Sequence, residues 1–128
     1  ELWQDRVAEA FADRAGTLLN PRRPEWDATW RQSIDEPRFR EQVEWELAAL
    51  DAADVIVLHL ASGSKSPICL LELGLHARTG KLIVFCAPDY FRKGNVDITA
   101  ERYGIDQAFS LEDLILQVQH RLAILAQS

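Results

Sequence analysis

The sequence is poor in sulfur and in long apolar runs. Methionine is absent, at position 1 as elsewhere, so we expect the natural N-terminus to precede Glu1. The two cysteines, Cys69 and Cys86, lack metal-ligand spacing and predict small core thiols in a reducing compartment. No run is long enough to span a membrane, and no signal-peptide pattern opens the chain. We therefore expect a cytoplasmic protein with no membrane partner.

Positive charge is also in short supply. The chain has 14 lysines and arginines against 20 aspartates and glutamates, and its net charge is −6. This balance argues against a nucleic acid polymer as the main partner. A length of 128 residues predicts a single domain over 1–128, and a hydrophobic share of 48% is sufficient for a packed core.

Helical and strand patterns alternate along the chain. The predicted helices are 1–16, 37–53, 66–77, a short one ending at 103, and one beginning at Ser110 as N-cap; the predicted strands are 17–20, 54–60, 81–86 and 105–109. This order predicts an α/β fold, a flavodoxin-like or Rossmann-like doubly wound parallel sheet. Such sheets usually open on a central strand, whereas this chain opens on a helix, so we expect the first strand to be missing.

The stretch 64–77 dominates the sequence because it joins two β-branched runs through a short helix. Ser66 suits the N-cap of this helix and Pro67 its first position. The helix is apolar on nearly every side, which predicts burial. Glu72 is its one acidic residue. A carboxylate in such a helix needs a partner or a cleft to face.

Polar loops follow the predicted strands, where ligands of open parallel sheets bind. Loop 61–66 carries three serines, a glycine and a lysine at a helix N-terminus, which is typical of an anion cradle. Ser64 and Ser66 are its candidate ligand contacts. The Walker spacing is absent, and an ordinary polar surface loop is the alternative interpretation.

Two glutamates have both a structural and a chemical interpretation. Glu72 could be a carboxylate paired in the core, or a nucleophile or general base. Glu46 lies at the edge of an apolar stripe and could be solvated, or could assist at the same cleft. Two carboxylates at one cleft would suit cleavage of a glycosidic bond.

Several motifs in order carry a family resemblance over essentially the whole chain. They are Asn-Pro-Arg-Arg at 20–23, Phe-Arg-Glu-Gln-Val-Glu-Trp-Glu-Leu at 39–47, Ala-Asp-Val-Ile at 53–56, Ser-Pro-Ile at 66–68, Leu-Glu-Leu-Gly-Leu-His-Ala at 71–77, Gly-Lys-Leu-Ile-Val at 80–84 and Arg-Lys-Gly-Asn-Val at 92–96. Together they resemble the nucleoside 2-deoxyribosyltransferase family, in particular its deoxyribosyltransferase-like branch, which is related to deoxynucleotide N-glycosidases.

The resemblance implies roles for individual residues. Glu72 would be the nucleophile that forms a covalent deoxyribosyl–enzyme intermediate, and Glu46 would stand where relatives commonly have an aspartate that contacts the sugar or base. Ser66 matches the serine that helps bind the 5′-phosphate in the hydrolases of the family. Weaker candidates for substrate contacts are Asn20, Arg22, Trp26 and Asn95.

The expected function is therefore cleavage or transfer at the N-glycosidic bond of a nucleoside or nucleotide. No metal or organic cofactor is needed for it, because the carboxylate supplies the covalent chemistry. A homodimer or higher homo-oligomer is expected. The alternatives are a nucleotide-binding sensor that lost turnover and a purely structural subunit. Transferase and hydrolase, ribose and deoxyribose, and the identity of the base stay open.

Overall fold

The computed structural model describes residues 31–127. Its elements, in chain order, are α1 (Pro37–Ala52), β1 (Ile56–Leu60), α2 (Pro67–His76), β2 (Leu82–Cys86), α3 (Lys93–Tyr103), β3 (Asp106–Ala108) and α4 (Leu111–Ala126). The chain divides into two compact units, 1–53 and 54–128. The predicted helix at 1–16 and strand at 17–20 lie outside the described residues, as does the first strand that was expected to be missing. The single domain over 1–128 stays a prediction.

In the first unit, the described part consists of α1 and the turn that leads into it. The helix begins after Glu36, whose carboxylate accepts a hydrogen bond from the main-chain N–H of Arg38, and Pro37 occupies its first turn. The side chain of Gln42 is buried, whereas Leu47 is 39% exposed. The predicted apolar stripe of this helix is therefore only partly covered.

The second unit is built on a three-stranded parallel sheet in the order β1-β2-β3. Leu58 of β1 pairs with Val84 of β2, and Val84 pairs in turn with Gln107 of β3. The residues of β2 are all apolar and are buried along almost its whole length, as expected for a central parallel strand. Helices flank the sheet, and this α/β architecture is consistent with the predicted flavodoxin-like fold.

Helices α2 and α4 pack against different strands of the sheet. Helix α2 contacts β1, and α4 contacts β2 and β3. Helix α4 begins as predicted, because the Ser110 hydroxyl accepts from the N–H of Asp113 at 3.0 Å. Leu114 and Val118 are the buried residues of its predicted apolar face. At the amino ends of the strands, Arg121 of α4 donates to the carbonyl oxygens of Gly80 at 3.1 Å and Leu82 at 2.9 Å.

The prediction that α2 is buried on nearly every side is wrong. Its buried residues are Leu73 and His76, whereas Ile68, Leu71 and Leu75 are more than half exposed. These exposed positions are spaced three and four apart and form one outer stripe. Helix α2 is short and buries only one of its faces, so its apolar composition did not indicate full burial.

None of the helices described within 31–127 has the length and apolar character needed to cross a membrane.

Candidate functional site

Two loops follow the carboxyl ends of neighbouring parallel strands and lie side by side. The first, 61–66, follows β1, and the second, 87–92, follows β2. The N–H of Ala87 donates to the carbonyl oxygen of Leu60 at 2.8 Å, so the ladder continues to the base of both loops. The site is therefore expected at this edge of the sheet. We call loop 61–66 the serine loop.

Two hydroxyls meet inside the serine loop. The Oγ atoms of Ser64 and Ser66 are 2.8 Å apart, and Ser64 Oγ also donates to the carbonyl oxygen of Ala61 at 2.8 Å. Because the hydroxyl proton of Ser64 is used in the hydrogen bond to the Ala61 oxygen, Ser64 Oγ accepts the hydrogen bond from the Ser66 hydroxyl. Both serines are half-buried. The structure thus brings together two of the sequence-predicted site residues as a pair.

Ser66 has an unusual main-chain conformation. Its φ of 47° and ψ of 54° are left-handed, and within 31–127 no other residue except glycines has a positive φ. Ser66 occupies the N-cap position as predicted, but its hydroxyl does not cap α2 within the described part of the chain. The side-chain capping bond usual for serine at this position is therefore not made in the described structure, and the hydroxyl meets Ser64 instead. Such a conformation costs about 1–3 kcal/mol in a non-glycine residue and must be held by its surroundings.

Side chains of the loop after β2 hold the serine loop at two points. The Tyr90 hydroxyl donates to the main-chain oxygen of Lys65, the residue immediately before Ser66. Ser62 Oγ donates to Asp89 Oδ2 at 2.7 Å. The ring of Tyr90 is buried, with 3% of its surface exposed. The two loops therefore form one hydrogen-bonded unit.

Glu72 lies on α2 at the boundary between the exposed stripe and the buried side. Its neighbours one turn earlier are Ile68, which is exposed, and Cys69, which is half-buried. Glu72 is itself half-buried. Six residues of helical rise separate it from Ser66, roughly 9 Å along the axis. The helix thus carries one half-buried carboxylate between one and two turns along its axis from Ser66.

The pKa of the Cys69 thiol depends in part on the charge of Glu72. Burial raises the pKa of Cys69, and the nearby carboxylate of Glu72 raises it further. The thiol contacts the main-chain oxygen of His59 at 3.9 Å. Cys69 is therefore a protonated, structural thiol at neutral pH rather than a nucleophile.

Glu46 lies on α1 in the first unit. It is half-buried and accepts a hydrogen bond from the amide of the buried Gln42 at 2.9 Å. This contact differs from the solvated edge that was one of its two interpretations. A buried amide that donates to a carboxylate fixes the rotamer of that carboxylate.

Asn95 is exposed and lies in the first turn of α3. The predicted short helix ending at 103 begins at Lys93 as α3, so Asn95 lies on a helix and not in the loop after β2. The ammonium group of Lys93 forms an ion pair with the carboxylate of Asp97 at 2.8 Å. In the described part of the chain, Lys65 belongs to the serine loop and Arg92 to the loop after β2, and both side chains are exposed. Asn20, Arg22 and Trp26 lie outside the described residues.

Sequence reasoning missed the contribution of Asp89 and Tyr90. The loop that contains them was interpreted only as polar. A tyrosine four residues after the end of a buried strand is the signal that could have indicated an inward-facing side chain. The bond to Lys65 is long-range, and no local pattern predicts it.

Within 31–127, no cluster of three or more histidine, cysteine, aspartate or glutamate side chains could hold a metal ion.

Comparison with known proteins identifies a family for this chain. No curated protein matches the chain. The family model described as nucleoside 2-deoxyribosyltransferase like matches residues 1–90, which include α1, β1, the serine loop, α2, β2 and Tyr90. The Arg-Lys-Gly-Asn-Val motif at 92–96 lies beyond the matched residues. Since the match covers well over half of the sequence, the chain belongs to the nucleoside 2-deoxyribosyltransferase-like family.

Proposed function

We propose that this protein is an enzyme that cleaves or transfers the N-glycosidic bond of a deoxynucleoside or deoxynucleoside 5′-monophosphate through a covalent intermediate on Glu72. The observation that carries the proposal is a partly accessible glutamate on a helix that starts at a paired-hydroxyl loop, within the residues that match the family. Membership of the family supports a nucleoside substrate.

The reaction would take two steps at C1′ of the sugar. In the first, a carboxylate oxygen of Glu72 forms a bond to C1′ while the C1′–N bond breaks, and the electron pair leaves with the base, which takes up a proton. In the second, water or the ring nitrogen of another base attacks C1′. The ester bond to Glu72 then breaks, the carboxylate is restored and one proton is released.

The remaining residues would bind and orient the substrate. Ser66 and Ser64 are the proposed contacts of a 5′-phosphate or 5′-hydroxyl, and to donate to it each hydroxyl would turn its single proton away from its present acceptor, Ser64 Oγ or the Ala61 oxygen. Glu46, with its orientation fixed by Gln42, would contact the sugar or base. Arg22, Trp26 and Asn95 are proposed contacts on the base side, and Asn20 is a further proposed substrate contact. We also propose that the enzyme works in the cytoplasm as a homodimer or higher homo-oligomer.

The proposal is tested by covalent trapping. The enzyme is incubated with a 2′-fluoro-substituted nucleoside and its 5′-monophosphate, because the electron-poor sugar slows breakdown of the intermediate. Peptide mass spectrometry should find a sugar adduct on Glu72 and none in Glu72→Gln. Glu101→Gln, an exposed glutamate of α3, is the matched control and should be labelled like the wild type.

Turnover with natural substrates completes the test. Free base is measured after incubation with deoxynucleosides and their monophosphates, with and without an acceptor base. Glu72→Gln should lose several orders of magnitude in rate, as expected for loss of a covalent catalyst. Base release that persists at the wild-type rate in Glu72→Gln would refute the nucleophile. Tight ligand binding without base release by the wild type would instead favour a nucleotide sensor.

A further inference from the structure

The conformation of the serine loop depends on contacts from outside it. Ser66 is the one non-glycine residue with a positive φ between residues 31 and 127, and it is followed by a proline. Left-handed backbone is disfavoured for a residue with a Cβ, because the Cβ approaches the carbonyl oxygen. The conformation of Ser66 must therefore be held by surrounding contacts, from within the loop and from outside it.

Tyr90 provides a rigid contact of this kind. Its ring is buried and meets the ring of Phe91 edge-on at 5.2 Å. Its main chain is fixed by turns, since its N–H donates to the carbonyl of Ala87 and its own carbonyl accepts from the N–H of Lys93, each at 3.0 Å. The position of the hydroxyl is therefore determined by packing and by the end of β2.

The hydroxyl of Tyr90 acts directly on the peptide that precedes Ser66. It donates to the oxygen of Lys65, and that oxygen belongs to the peptide group whose nitrogen is that of Ser66. Holding this peptide plane restricts the φ of Ser66. Burial of the ring, with the Cys86 and Cys69 thiols nearby, raises the pKa of Tyr90, so the hydroxyl keeps the proton that it donates.

Asp89 supplies a second, weaker restraint. It accepts from Ser62 Oγ at 2.7 Å, and both side chains are exposed. An exposed bond of this kind competes with water, so we expect it to contribute less than the buried contact of Tyr90.

We propose that Tyr90 is a positioning residue for the proposed reaction: its hydroxyl, assisted by Asp89, holds the serine loop in the conformation in which the Ser64 and Ser66 hydroxyls bind a 5′-phosphate. This inference rests on the proposed function for its ligand, but not for the loop conformation itself. It assigns a role in substrate selection to a residue that does not touch the substrate.

The test removes one hydroxyl from each tyrosine of the chain in turn. Tyr90→Phe keeps the ring and loses the bond to Lys65. Tyr103→Phe is the matched control, because its hydroxyl accepts from Arg78 at 3.4 Å near the opposite ends of the strands. The first readout needs no ligand: the intraresidue H(N)–Hα contact of Ser66 in NMR spectra is strong when φ is positive. It should persist in the wild type and Tyr103→Phe and weaken in Tyr90→Phe.

The second readout is affinity for a deoxynucleoside 5′-monophosphate relative to the matching deoxynucleoside. In Tyr90→Phe, the affinity for the monophosphate should fall about 5- to 10-fold, while the affinity for the nucleoside stays within about 2-fold of the wild type. The reason is that the hydroxyls of Ser64 and Ser66, which bind the phosphate, are no longer fixed in position. Ser66 signals like those of the wild type in Tyr90→Phe would overturn the proposal. So would equal losses of affinity for both ligands.

The two readouts separate this inference from the proposed function. A wild-type protein that binds neither ligand would refute the proposed function, while the Ser66 signals still decide the role of Tyr90. If Tyr90→Phe does not fold, Asp89→Ala takes its place, since this side chain is exposed. It should weaken the Ser66 signal and lower monophosphate affinity about 2- to 3-fold, as expected for loss of an exposed hydrogen bond. No change in either quantity would then contradict the proposal.

Discussion

The imidazole of His59 lies flat against the ring of Phe85, with 4.5 Å between the ring centroids and 12° between the planes. The two residues are direct partners in the register of β1 and β2. His59 is half-buried in the sheet, and this burial lowers its pKa from the ordinary value of 6.5. The stacked pair therefore favours the neutral imidazole.

This pair predicts a loss of stability in mild acid. Because the pKa of His59 is lower in the folded state, the unfolded chain binds more protons below pH 6.5, and folding is disfavoured there. The contribution is fully present above pH 6.5 and is lost as pH falls through the folded-state value. Melting temperatures between pH 7.5 and 5 should fall less steeply for His59→Gln than for the wild type. His120→Gln, on the exposed side of α4, should keep the wild-type slope; equal slopes for all three proteins would contradict the prediction.

Substitutions at Ser66 should separate stability from ligand binding. Both Ser66→Gly and Ser66→Ala remove the hydroxyl that meets Ser64, but glycine accepts a φ of 47° without strain. In urea unfolding, Ser66→Gly should be more stable than Ser66→Ala by about 1 kcal/mol. Both should bind a deoxynucleoside monophosphate more weakly by about 1–3 kcal/mol, the range for a hydrogen bond to a charged group. If Ser66→Gly retained full affinity, the hydroxyl would not contact the phosphate.

The charge of Glu72 can be measured through its neighbour. Glu72→Gln removes the carboxylate that raises the pKa of Cys69, so more thiolate should be present at pH 8. Alkylation of Cys69 by iodoacetamide, followed by peptide mass spectrometry, should be about 2-fold faster than in the wild type, since burial remains the larger cause. Cys86 is an internal control, because its pKa responds to burial, Lys93 and Asp97 instead. An unchanged rate at Cys69 would mean that Glu72 is uncharged or directed away.

Arg121 should be important for stability and not for ligand binding. It donates to two main-chain oxygens and pairs with Asp106 at 2.7 Å, so Arg121→Leu removes the donor to the partly buried Leu82 oxygen and to the exposed Gly80 oxygen. Unfolding experiments should show a loss of about 1–3 kcal/mol. Asp106→Asn should cost less, because its carboxylate is 62% exposed and surface ion pairs contribute at most about 1 kcal/mol. Arg102→Ala, on the exposed face of α3, should stay within about 0.5 kcal/mol of the wild type. A loss as large in Arg102→Ala would argue against a specific anchor.

Much of the second unit could be predicted from local patterns. The β-branched runs correctly predicted β1 and β2, and Ser110 correctly predicted the start of α4. These signals are local: a strand next to a breaker, or a hydroxyl that reaches the third N–H beyond it. The start of α3 at Lys93 was missed, because no capping side chain bonds its first turn in the described structure.

The candidate site was less predictable, because it depends on contacts between loops. The position of Ser66 before a helix could be read from Pro67, but its left-handed backbone could not. That conformation depends on Tyr90, which is distant in sequence and adjacent only after β1 and β2 have paired. The hydrogen bond between Gln42 and Glu46, by contrast, spans one helical turn and could have been anticipated from spacing alone.

The parallel register of the sheet also sets the order in which the molecule can assemble. Ile56 pairs with Leu82, and Ile83 pairs with Asp106, so roughly 25 residues must be looped before each strand pair can form. No hairpin is available within the described strands to nucleate this sheet by a short-range contact. Folding of this unit is therefore governed by non-local contacts and should be slow for its size. The serine loop and its tyrosine contact can be completed only at the end of that process, once both strands are in place.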